Sequence, residues 1–332
     1  MRISIVTPAP PGSRSGNRVT AIRWAKILRR LGNRVTISEK YERESYDLLI
    51  ALHARKSHPS IINFQRQNPA APIILALTGT DLYRDIQTNR PAQESIDIAT
   101  KIVVLQPRAI DELPPGLRKK TRVIYQSVEA GPVKTDRRGK SAKTTASKSR
   151  VRSGGPFEVC VIGHLRAVKD PFRVAMAARL LPDASRIRVL QVGGAMTDGM
   201  AALALKEMTV GKRYQWLGEQ PRSRVRRILS KSSLCVLSSR MEGGANVLSE
   251  AIAASVPILA SRIAGNLGIL GADYPGYFDV GDTAQLARLL TQAEISPAFL
   301  AALKSRVKRL ALLVDPAREE QAWSDLIGEL SG

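Results

Sequence analysis

Short apolar runs, rich in Ile, Val and Leu, recur along the chain, each followed by a polar turn and then apolar residues at helical spacing. Ile3 to Thr7, Arg34 to Ser38, Asp47 to Leu52, Ile73 to Leu77, Lys101 to Leu105 and Val123 to Tyr125 read as the strands of a first half. Between the first two, Asn17 to Leu31 carries Ile22, Trp24, Ile27, Leu28 and Leu31 at helical spacing, and Gly32 stands where a helix would end. A second half repeats the grammar, with strands at Glu158 to Ile162, Arg188 to Val192, Tyr214 to Leu217, Leu234 to Leu237 and Pro257 to Ala260. Largely apolar strands alternating with helices predict parallel sheets covered on both faces. The expected fold is therefore α/β, with two doubly wound, Rossmann-like domains facing a cleft. Ligands belong at the carboxyl ends of the strands.

The boundaries expected are 1–132 for the first domain, joined by a C-terminal helix over 316–332, and 156–315 for the second. Residues 133–155 between them change character. From Lys134 to Arg152 eight basic residues face one acid, Asp136, among Ser, Thr, Ala and Gly, which reads as a flexible basic linker. The whole chain carries a formal charge of +22, which points to an anionic ligand or partner. A nucleic-acid-binding reading follows from the same charge, but aromatics make up only 5% of residues, too few for a base-stacking surface. No specific nucleic-acid partner is expected. The longest apolar runs are strand-length, so no membrane span is expected, and the short apolar start argues against a signal peptide and for the cytoplasm. The two cysteines, Cys160 and Cys235, lie in apolar segments and read as buried thiols.

The most informative stretch runs from Met241 to Ser261. Glu242, Gly243, Gly244, Ala245, Asn246 and Val247 follow a strand and open a helix, with Glu250 about two turns into it. Glycines at such a turn let backbone N–H groups approach a phosphate, and the helix N-terminus favours negative charge. The carboxylates suit sugar and ribose hydroxyls. A second turn, Gly163-His164-Leu165-Arg166-Ala-Val-Lys169, follows the first strand of the same half and offers a guanidinium and an ammonium for phosphate oxygens. In the first half, Gly12, Ser13, Gly16 and Asn17 form another Gly-rich turn before a helix. Two further strand ends gather His53, Arg55 and Lys56, then Thr78, Thr80, Asp81 and Arg84, at the ligand-facing edge.

On the E-x7-E element at Glu242 and Glu250, the sequence resembles the retaining GT-B glycosyltransferases of family four. The resemblance implies that Glu242 contacts the donor hexose, Glu250 the ribose hydroxyls, and the amides of Gly243 to Val247 the donor phosphate and sugar. The family pattern G-R-L-x-x-x-K is met at Gly163, Leu165 and Lys169. Its arginine position holds His164, so Arg166 is the substitute expected. Lys169, Arg166 and the amides would then clamp the departing diphosphate. In the same family the loop of Gly12, Ser13, Gly16 and Asn17 faces the donor phosphates across the cleft. Acceptors bind at the loops of His53 to Lys56 and Thr78 to Arg84, where Arg55, Lys56 and Arg84 suggest a small anion.

The strings L-I-A-L-H-A-R-K-S (residues 49–57), A-L-T-G-T-D-L-Y-R-D-I (76–86) and G-N-R-V-T-A (16–21) are similar to the selenosugar synthase SenB group. That likeness implies transfer of a hexose, such as N-acetylglucosamine, from a UDP-sugar to selenophosphate, forming a C–Se bond for selenoneine biosynthesis. No D-x-D pair ends a strand, so neither a cofactor nor an obligatory metal is expected. The rival enzyme reading is a retaining transferase acting on a hydroxylated sugar or lipid acceptor.

Overall fold

The computed structural model describes residues 1–42, 44–129 and 155–331, so the expected linker lies almost wholly outside the described residues. The first six strands are β1 (Arg2–Val6), β2 (Arg34–Ser38), β3 (Leu48–Leu52), β4 (Ile73–Leu77), β5 (Lys101–Val104) and β6 (Thr121–Val123). They form one parallel sheet in the order β2-β1-β3-β4-β5-β6. The second sheet contains β7 (Phe157–Ile162), β8 (Ile187–Val192), β9 (Tyr214–Trp216), β10 (Leu234–Leu237), β11 (Ile258–Ser261) and β12 (Tyr277–Phe278). Its order is β12-β11-β10-β7-β8-β9, again parallel throughout. Both are doubly wound orders, with the chain reversing direction between β1 and β3 and between β7 and β10.

Burial explains the composition of the strands. Every residue of β3 and β4 is buried, because helices cover both faces of the sheet. Side chains alternate, so Leu49 and Ala51 enter the core that contains Phe64, while Leu48, Ile50 and Leu52 enter the one that contains Trp24. Cys160 and Cys235 are register partners on β7 and β10, free and fully buried. The edge strand β12 has only two residues, too few to leave an apolar run in the sequence.

The first helix runs from Gly16 to Arg30, and Ser15 caps it by accepting from the Arg18 amide. It stops where Gly32 takes φ 84°, letting Gly32 N donate to Arg29 O and Asn33 N to Leu28 O. This is a Schellman stop, which needs a residue that tolerates the left-handed region. The last helix, Pro316–Ser331, packs Trp323 edge-on against Trp24 at 4.8 Å and so lies over the first sheet. No helix among the described residues is long and apolar enough to cross a membrane.

Candidate active site

The two reversal points determine where side chains gather. In the second half, the loops after β7 and β10 face each other and carry Gly163 to Lys169 and Ser238 to Glu242. Lys169 Nζ forms a close ion pair with Glu242 Oε1, which also accepts from Ser239 Oγ at 2.6 Å. Ser238 Oγ lies 3.1 Å from the carbonyl of Lys169 and 2.9 Å from that of Asp170, tying the two loops together. Gly163, Lys169, Gln191, Ser238, Ser239 and Val247 line one recess, enclosing about 300 Å³ including open solvent. Arg166 is exposed, and no ion pair or hydrogen bond of its side chain occurs among the described residues. Its carbonyl accepts from Lys169 N at 2.9 Å. His164 keeps a buried Nδ1 with no hydrogen-bond partner.

The helix after β10 spans Asn246–Ala253, so Glu250 lies just over one turn into it rather than two. The Gly-Gly turn keeps the preceding residues out of the helix. Glu250 pairs with Arg222 at 3.7 Å. Burial raises its carboxyl above the ordinary range, and the charges of Arg222, Arg226 and Arg23 oppose that rise.

In the first half, the loops after β3 and β4 interlock through Asp81. This fully buried carboxylate accepts from the amides of Ala54 at 3.1 Å, Thr78 at 3.0 Å and Gly79 at 2.8 Å. Its oxygens thus hold the two turns in register. Around it, His53 Nε2 lies 3.3 Å from Thr80 Oγ1. Arg55 Nε and Arg84 Nε both donate to the buried Asp85, at 2.8 Å and 3.0 Å. Burial pushes the Asp85 carboxyl upward, but the hydrogen bonds from Arg84 and Arg55 outweigh it and hold the group below its usual range. Lys56 is exposed beside them. Residues 81–85 form a π-helical turn, which brings Asp81 and Asp85 to the loop side together.

The two halves meet along a seam of small residues. A Cβ at Gly243 would lie 2.5 Å from the Thr78 carbonyl carbon and 2.8 Å from Gly79 N, so only glycine allows this approach. Gly244 stands against Leu105, and Gly268 against Gln106, in the same way. The turn carrying Glu242 therefore touches the turn carrying Thr78, and the Glu242 charge reaches Tyr83. Gly16 O lies 3.5 Å from Asn246 Nδ2, and Arg14 donates to Gln220 O at 2.8 Å. Gly12 takes φ 79° in that loop, and Ser13 Oγ donates to Ser15 Oγ at 3.1 Å. Neither Asn17 nor Lys56 has a side-chain hydrogen bond among the described residues.

The sequence reading missed Ser239, Asp85 and Tyr83. Ser239 was readable, since it follows β10 directly; Asp85 was not, because only the π-helical turn brings it under Arg55.

The model of the family described as Glycosyl transferases group 1 matches residues 142–310, just over half of the chain. The D-inositol 3-phosphate glycosyltransferase of Mycobacterium sp. (strain KMS) is 32% identical over 136 residues, which is 38% of this chain and 30% of that protein. The chain therefore spans less than a third of the length of the curated relatives it matches. Anabaena HepE in complex with UDP-glucose aligns with a TM-score of 0.77 at 15% identity, over 99% of this chain and 100% of that one. Sucrose-phosphate synthase from Thermosynechococcus elongatus aligns with a TM-score of 0.75 at 15% identity, covering 99% and 98%. The whole-chain likeness makes the fold GT-B, two Rossmann-like domains across a cleft. The family match falls on the half that holds Lys169, Glu242 and Glu250, and the chain belongs to the glycosyl transferases group 1 family.

Proposed function

We propose that the cleft moves a hexose, N-acetylglucosamine in the first instance, from a UDP-sugar to selenophosphate, as a selenosugar synthase for selenoneine biosynthesis. One observation carries the reading: the turn bearing Glu242 packs on the Thr78–Gly79 turn. That contact sets the recess of Lys169 and Glu242 beside loops rich in cations. The UDP-glucose complex of Anabaena HepE supports a nucleotide-sugar donor, and the mycobacterial relatives, named as glycosyltransferases, support sugar transfer. The selenium atom rests on the likeness of the 49–57 and 76–86 segments to the selenosugar synthases.

In this mechanism the bond from sugar C1 to the β-phosphate oxygen breaks as C1–Se forms, and UDP leaves with the electron pair. Lys169 and the amides of Gly243 to Val247 stabilise the charge that develops on the diphosphate. Arg166, exposed three residues before Lys169, adds its guanidinium to that clamp. Glu242 takes a sugar hydroxyl and Glu250 the ribose hydroxyls. Selenophosphate is already an anionic nucleophile, so no base is required. Water then attacks phosphorus, releasing phosphate and leaving the selenium on the sugar. Arg55 and Arg84, with one carboxylate between them, retain positive charge for the phosphoryl oxygens.

A second reading takes a hydroxylated acceptor that bears a phosphate, favoured by the name of the relatives, D-inositol 3-phosphate glycosyltransferase. Steady-state kinetics with each substrate varied in turn test the assignment. Arg55→Ala and Arg84→Ala should each raise KM for selenophosphate on the order of 10- to 100-fold, with UDP binding nearly unchanged. Unchanged acceptor dependence in both variants would remove these loops from the acceptor site.

A further inference from the structure

Arg23, on the first helix, is 8% exposed, and its Nε reaches Glu319 at 3.0 Å and 3.2 Å. Glu319, 1% exposed, also accepts from Trp24 Nε1 at 2.8 Å, from Ser127 N at 2.8 Å and from Ser127 Oγ. A buried carboxylate with that many donors is rigid, and so is the guanidinium paired with it. Removing either partner would leave an uncompensated buried charge. The far side of the same guanidinium crosses to the second half, where Nη1 donates to Asn246 Oδ1 at 2.9 Å. Its Nη2 is buried without a partner. Asn246 is the first residue of the helix Asn246–Ala253 and directly follows the Gly243-Gly244-Ala245 turn.

We propose that Arg23 is a positioning residue for the nucleotide-sugar pocket. Braced by Glu319, it holds the Asn246 turn, and with it the amides of Gly243 to Val247, against the first half of the chain. The inference rests on the donor reading above and goes beyond it, since Arg23 lies on the other half and need not touch the reacting atoms. A guanidinium suits the task because its fork engages the carboxylate through Nε and the amide oxygen through Nη1 at once. The short point charge of a lysine cannot do both. Fixing the turn before the nucleotide arrives removes an ordering cost that binding would otherwise bear.

The test is calorimetric titration of UDP into the full chain. Wild type, Arg23→Gln, Arg23→Lys, Asn246→Ala and the double variant Arg23→Gln/Asn246→Ala are compared, each with its melting temperature. Arg23→Gln and Asn246→Ala should each weaken UDP about tenfold, and the double variant should fall well short of the product of the two, because they share the Arg23–Asn246 bond. Arg23→Lys should fail to restore wild-type affinity. UDP affinity within about twofold of wild type in a folded Arg23→Gln, or effects that add in the double variant, would overturn the proposal. A merely structural Arg23 would lower the melting temperature and leave UDP affinity unchanged. If Arg23→Gln does not fold, Asn246→Ala carries the test, since it leaves the Arg23–Glu319 pair intact. A wild-type protein that does not bind UDP would sink the donor reading and this inference with it. Binding that is intact in wild type and in the variants would sink the inference alone.

Discussion

His53 combines several demands at one position. At φ 78° and ψ 102° it adopts a backbone conformation that few side chains tolerate, at the carboxyl end of β3. Its Nδ1 accepts from Lys56 N at 3.5 Å, and its Nε2 faces Thr80. Burial depresses the imidazole below its ordinary value, against the pull of the Asp81 carboxylate. The folded protein therefore favours neutral His53, while the unfolded chain takes up a proton near pH 6.5. Between that value and the lower folded one, the unfolded state binds more protons. Stability must then fall as the pH drops from about 6.5. We expect His53→Asn to lessen the loss of melting temperature between about pH 7 and 5, since asparagine tolerates positive φ and can cap the helix without titrating. Equal slopes for the two proteins would mean that His53 does not titrate differently on folding.

At the level of elements, the chemistry lies in turns that long-range packing fixes. The apolar strands and the E-x7-E spacing were legible because each is a local pattern, and so were Gly163 and Lys169. The Glu319–Arg23 contact joins residues 296 positions apart, and nothing local in either segment announces it. Asp81 was legible as a polar residue at a strand end. That its oxygens are taken by three backbone amides depends on how two loops meet. Arg166 was legible only by residue type and spacing; its backbone is extended at φ −152° and its side chain is exposed. The Gly243 turn is the element most exposed to a single change. A methyl group there meets the Thr78 carbonyl at 2.6 Å, so the two turns must separate. Gly243→Ala should cut turnover on the order of 100-fold, the scale expected for a displacement of about 1 Å at a reacting centre. Near-normal kcat in that variant would show that the seam can open without consequence.

For the molecule as a whole, two doubly wound sheets place their reversal points opposite each other, and each half supplies what the other lacks. On the function proposed here, the second half offers Lys169, Glu242 and Glu250 for the nucleotide-sugar, and the first offers Arg55, Lys56 and Arg84 for the anionic acceptor. The last helix braces Arg23 through Glu319, and Arg23 crosses to the second half at Asn246. The most direct measurement is identification of the product. Purified protein is incubated with UDP-N-acetylglucosamine or UDP-glucose and with selenophosphate or phosphate, and the mixtures are read by mass spectrometry. The account predicts UDP and a selenium-bearing sugar in the selenophosphate reactions, neither of them with phosphate, and loss of both in Glu242→Ala. UDP release without a selenium-bearing sugar in the selenophosphate reactions, or no UDP release from any donor, would contradict it.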